Sequence, residues 1–115
     1  MTEVVTPTLL NAPTTDVYID SIEVSVNQAL SKSSQLYLHT SPELEMKRLL
    51  SKGSGDIFQI CQVFRDNEHG RINSNEFTML EFYQAYSDYR DLMTMTEDLI
   101  HSVALDAVGT DEVSY

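Results

Sequence analysis

Arg65, Phe77, Glu81 and Tyr83 are the side chains whose types and spacing could do chemistry together. Phe77, Glu81 and Tyr83, with Met79 among them, occupy alternate positions of one apolar run, so an extended chain puts them on a single face. A carboxylate between two aromatics is costly there unless a cation meets it. Glu81 therefore calls for a partner. An Arg or Lys elsewhere in the chain would make the run an ordinary core strand. The amine of a bound molecule would make it the floor of a cleft, where Phe77 stacks a flat ring and Glu81 with Tyr83 receives the amine. Arg65 weighs toward the cleft: it ends a second apolar run just before a polar loop, where a held guanidinium can grip a phosphate in a bidentate fork.

Two runs have to position these groups. Residues 56–64 and Glu76–Tyr83 are rich in Ile, Val, Phe and Tyr, and a loop holding Asp66, Asn67, Gly70, Asn73 and Ser74 separates them. The pattern predicts a long-looped antiparallel hairpin. Thr78, Leu80 and Phe82 make the opposite face of the second run apolar as well, which predicts a central strand. Ahead of the hairpin, Val4 and Val5 followed by Pro7 suggest a strand that stops or lies at a sheet edge. Residues 12–15 read as a turn, 16–26 as an irregular strand, 27–35 as a surface loop and 36–39 as a short strand. His39, a lone histidine, is expected to pack or to point to solvent. Thr40-Ser41-Pro42-Glu43 predicts a helix start, with Thr40 as cap, Pro42 in the first turn and Glu43 at capping-box spacing; Gly53 closes that helix. Residues 87–108 predict a second helix, capped by Ser87 or Asp88, ended by Gly109, and carrying an apolar stripe expected to pack on the sheet. An acidic, frayed tail follows over residues 110–115.

Composition narrows the function classes. A chain of 115 residues is at most one modest domain. Eighteen acidic against seven basic side chains give a net charge of -11, which repels phosphate backbones and argues against stable nucleic-acid binding by this chain alone. The single cysteine, Cys61, excludes an internal disulfide or a Cys-rich metal site, and its apolar strand suggests packing. No apolar run reaches the roughly 18 residues of a membrane span, and the polar start is no signal peptide; a cytoplasmic protein is expected.

The stretch FRDNEHGRINSNEFTMLEFY, residues 64–83, resembles motif 2 of the class II aminoacyl-tRNA synthetases, specifically their lysine branch. The short loop with Glu68, Gly70 and Arg71 is most similar to the lysyl-tRNA synthetase paralogues that attach β-lysine to elongation factor P. Further matches run in family order: TP at 6–7, TTD at 14–16, TSPELEMKRLL at 40–50 and SDYRDLM at 87–93. The resemblance implies an α+β fold, an antiparallel sheet with flanking helices, in which residues 1–115 form part of a class II synthetase catalytic domain from the end of motif 1 through motif 2. It implies ATP-dependent activation of lysine or β-lysine as the adenylate and transfer to a lysine of elongation factor P, with tRNA as the alternative acceptor. It further implies Arg65 on the α-phosphate, and Asp66, Asn67, Ser74 and Phe77 around the nucleotide, Phe77 stacking adenine. Ser41, Pro42 and Glu43 would hold the α-amino end of the amino acid, and Glu81 with Tyr83 its side-chain ammonium. ATP, magnesium held by ligands outside this chain, and a homodimer in the complete enzyme are also implied.

Three departures stand out. The family's Glu two positions after the motif 2 Arg is Asn67 here; its His-Asn-Pro is Asn73-Ser74-Asn75. No motif 3 is found, and its second ATP-binding Arg and its magnesium ligands are expected beyond Tyr115, so this polypeptide alone is expected not to activate lysine. Two readings of other classes compete. One is a non-catalytic paralogue that keeps the scaffold for partner binding. The other is a calcium module, because residues 65–76 mimic an EF-hand loop with Gly at its sixth and Glu at its twelfth position; Arg65 at the first ligand position opposes it.

Overall fold

The computed structural model describes residues 1–26, 34–68 and 70–112, which fall into two compact units, Met1–Tyr83 and Gln84–Tyr115. The first is built on the expected hairpin. Strands β5 (Ile57–Phe64) and β6 (Glu76–Tyr83) pair antiparallel along their whole length, from Ile57 opposite Tyr83 to Phe64 opposite Glu76. β1 (Thr2–Glu3) adds to β5 in parallel, so the sheet order is β1-β5-β6. A second, antiparallel sheet has the order β2-β4-β3, from β2 (Leu9–Leu10), β4 (Ser34–Leu38) and β3 (Glu23–Val26).

His39 stitches the two sheets together. Its backbone N–H donates to Thr8 O at 2.9 Å, and its carbonyl accepts from Phe64 N at 3.1 Å. Its ring Nε2 lies 2.7 Å from Gln62 O, so the tautomer that satisfies the contact carries the proton on Nε2. Packing was one of the two environments expected for this residue, and at 1% exposure it is the one adopted. Met46, Ile57 and Val63 are the fully buried apolar side chains around this junction.

β6 departs from expectation. Among the described residues it lies at the edge of its sheet, and β5 is the strand paired on both sides. Only one face of the hairpin is covered: Ile57, Gln59 and Val63 are buried there, whereas Ile60 and Leu80 on the other are 57% and 42% exposed. Apolar content on two faces does not say which of two paired strands receives a third neighbour; that depends on where β1 docks.

The irregular strand expected over 16–26 shrinks to β3 and an isolated bridge between Asp20 and Asp66. Asp16 Oδ1 accepts from Tyr18 N at 3.1 Å and Thr14 Oγ1 from Asp16 N at 3.2 Å, and these local side-chain bonds hold a turn where a strand would need extended backbone. Residues 27–33 of the expected surface loop lie outside the described residues, and its last two, Ser34 and Gln35, belong to β4. Helix α1 (Glu43–Ser51) starts without the expected capping box: Pro42 is at the N-cap with no side-chain cap, and Thr40 is buried. Ser41 Oγ accepts from Glu43 N at 3.4 Å in its place. Gly53, with φ +85°, closes the helix as expected.

The second unit is α2 (Tyr89–Val108). Asp88 caps it, accepting from Arg90 N and Asp91 N while Asp91 reaches back to Asp88 N at 2.9 Å. Gly109, at φ +77°, takes the left-handed position at its end. Tyr89, Met93 and Ile100 of the expected apolar stripe all lie within this helix. Of the tail, residues 113–115 lie outside the described residues.

Candidate functional site

The register of β5 and β6 decides where Arg65 stands. It follows the last ladder pair, and its backbone N–H donates to Asn75 O at 2.9 Å, which holds it at the mouth of the hairpin. Its side chain is held twice more. Nε donates to Thr40 O at 3.4 Å, and the guanidinium carbon sits 5.2 Å from the centroid of the Phe77 ring. Cation–π contact of this kind favours a planar, weakly hydrated guanidinium over an ammonium.

Arg65 lines two concavities. The larger, of about 440 Å³, also takes in Thr40, Ser41, Glu43, Met79 and Glu81, with Asp16 and Glu45 at its rim. Four carboxylates and one guanidinium line it, and with Glu43 and Glu45 paired to Lys47 and Arg48 the acidic balance is left to Asp16 and Glu81, which favours a ligand bearing amines. The smaller, of about 340 Å³, is lined by Arg65, Glu68, Ile72, Asn73, Ser74 and Phe77, a ring with polar groups around it, which suits a flat heteroaromatic base. Arg65 is the one side chain common to the two linings.

Glu81 found its partner two residues away. Tyr83 Oη donates to Glu81 Oε1 at 2.6 Å. Burial raises the Tyr83 phenol above its ordinary pKa, and the hydrogen bond to Glu81 adds to that, so the proton stays on the phenol. Lys47 and Arg48, the basic residues of α1, pair within that helix with Glu43 and Glu45. Among the described residues no Lys or Arg pairs with Glu81, whose partner is the Tyr83 phenol. Beside it, the Cys61 thiol is raised, chiefly by burial and also by the nearby Glu81 charge, with a Gln59 hydrogen bond opposing.

The expected site residues are thus only partly brought together. Ser41, Glu43, Glu81 and Arg65 share the larger cavity; Arg65, Ser74 and Phe77 share the smaller. Pro42 is buried and lines neither, and Tyr83 acts on the cavity only through Glu81. Asp66 and Asn67 face a different depression with Asp20: Asp66 N donates to Asp20 O at 2.9 Å, and Asn67 Nδ2 to Asp20 Oδ2 at 3.0 Å. Sequence reasoning passed over Glu68 and Asn73, which line the smaller cavity, and Asp16, His39 and Thr40, which line the larger. Asn67 held a usable signal, because Asn is among the few residues that readily take φ > 0; its φ of +59° turns the chain so that residue 68 faces the ring.

The cation, ring and polar rim of the smaller cavity are groups of the kind that hold a nucleotide. For a metal ion the described residues offer no cluster of three His, Cys, Asp or Glu side chains. Strands, not helices, flank residues 65–76, which rules out the EF-hand arrangement. No helix among the described residues is long and apolar enough to cross a membrane.

Comparison with known proteins shows the family. The chain is 43% identical over 114 residues to an elongation factor P–(R)-beta-lysine ligase of Pasteurella multocida, covering 98% of this chain and 35% of that protein. Ligases of the same name from Avibacterium paragallinarum and Photobacterium profundum are 44% and 43% identical, with the same coverage. The chain therefore spans about a third of the length of the curated relatives it matches. Residues 1–114 match the family of class II tRNA synthetases for D, K and N, and with nearly the whole chain inside that match it belongs to this family.

Proposed function

We propose that this chain supplies the amino-acid and α-phosphate subsites of an ATP-dependent ligase that activates lysine or β-lysine and transfers it to a lysine of elongation factor P. The observation that carries the reading is the position of Arg65, shared between a carboxylate-rich cavity and one floored by an aromatic ring. In activation, a carboxylate oxygen of the amino acid attacks the α-phosphorus, a C–O–P anhydride forms and pyrophosphate leaves. In transfer, the acceptor amine attacks the carbonyl, an amide forms and AMP leaves. Arg65 neutralises the charge that builds on the α-phosphate oxygens, while Phe77 supports the base. Glu81, with one oxygen tied to Tyr83, receives the side-chain ammonium, and Glu43 and Ser41 at the start of α1 receive the other amine. A neutral side chain would leave Glu81 without its cation, at a cost of about 1–3 kcal/mol, which is the basis of selection.

A protein acceptor is favoured over tRNA by the net charge of -11 and by the name of the relatives, which are elongation factor P ligases. Magnesium beside the phosphates and a homodimer follow from the resemblance, and a cytoplasmic setting from the sequence pattern; none enters these steps. The test is calorimetric titration of the chain with lysine, (R)-β-lysine and norleucine, which lacks the side-chain amine. Binding of the first two and not the third is expected; equal binding of norleucine would defeat the reading.

A further inference from the structure

We propose that Glu68, pinned by Asn73, is the residue that selects a 6-aminopurine nucleotide over a 6-oxopurine one. This rests on the nucleotide reading of the Phe77 cavity. The resemblance points to position 67 for holding the base, yet Asn67 is turned away by its left-handed backbone and tied to Asp20 Oδ2. The next side chain takes the position. Glu68 is half-buried and lines the cavity beside Phe77. Its Oε2 accepts from Asn73 Nδ2 at 3.0 Å, and among the described residues Oε1 meets no donor.

An ionised carboxylate only accepts hydrogen bonds. With a base stacked on Phe77 and its 6-position turned to Glu68, the carboxylate attracts the 6-amino group of adenine and repels the 6-oxygen of guanine at the same place. Asn73 fixes one oxygen and so orients the other, and the discrimination comes from an acceptor held in advance.

The test measures dissociation constants of the 115-residue chain for ATP, GTP and purine riboside triphosphate, the last carrying hydrogen at the 6-position. The amide signals beside Phe77 report whether each ligand enters that cavity. In the unaltered chain ATP binds more tightly than purine riboside triphosphate by roughly tenfold, and GTP more weakly than either. Glu68→Gln, whose amide can present a donor, narrows the ATP-to-GTP ratio by about tenfold or more, and Asn73→Ala narrows it by a smaller factor. If ATP binds beside Phe77 but the ratio survives Glu68→Gln, the inference fails and the nucleotide reading stands. If Asn67→Ala changes the ratio and Glu68→Gln does not, position 67 holds the role and the inference fails. If none of the three nucleotides shifts the signals beside Phe77, both fail.

Discussion

The guanidinium of Arg65 covers the ring of Phe77 at 5.2 Å, although 12 positions of sequence separate them. The contact follows from the ladder: Val63 is opposite Phe77, so the residue two past Val63 stands over the ring. One side chain is thereby fixed between the two cavities.

Arg65→Lys keeps the charge but loses the fork and the flat contact with Phe77. In the protein that carries this chain, pyrophosphate exchange should fall by roughly 100-fold or more in kcat/KM for either Arg65→Lys or Arg65→Ala. Activity in Arg65→Lys within a factor of two of the parent would show that the bidentate grip is not used.

Glu81→Gln removes the charge while keeping the shape. Calorimetry should find lysine binding weakened by roughly 10- to 100-fold, and Tyr83→Phe weakened less. Because the two side chains share a hydrogen bond, the double variant should lose less than the two single losses combined. Strict additivity would separate Tyr83 from the substrate carboxylate.

Tyr83 also sets an alkaline limit. Its folded pKa lies above the ordinary 10.0, so its contribution to stability is complete below that value and is lost as pH rises toward the folded one. Urea midpoints should therefore decline above pH 10 more steeply in the parent than in Tyr83→Phe. Identical slopes would remove Tyr83 from the alkaline transition.

His39 binds the sheets through Gln62 O, and among the described residues its other ring nitrogen, Nδ1, is buried with no partner. His39→Ala strands the Gln62 carbonyl and opens a cavity, which should cost about 2–4 kcal/mol in urea unfolding. A loss below about 0.5 kcal/mol would mean that water replaces the ring freely.

Cys61 should be a sluggish nucleophile at neutral pH, since its raised pKa keeps the thiol protonated. Iodoacetamide should modify it more slowly in the folded chain than in urea at the same pH. Equal rates would place the thiol in open solvent.

What could be read from the residues alone was the part governed by neighbours along the chain. The alternation in Glu76–Tyr83 set its two faces, the polar stretch 65–75 set the length of the hairpin loop, and Asp88 with Asp91 set the start of α2. Motif spacing likewise brought Arg65, Phe77 and Glu81 to one hairpin. What needed the third dimension was every outcome settled by a distant partner. Thr40 is buried, and α1 starts from Pro42, two residues later, so Thr40 does not cap the helix, while its carbonyl accepts from Arg65 Nε. β6 is left at an edge because β1 docks on β5. Asn67 leaves the base cavity to Glu68 because Asp20, 47 residues earlier, holds its amide. Local pattern records which way a side chain faces within its own element, and only packing between elements determines what it meets there.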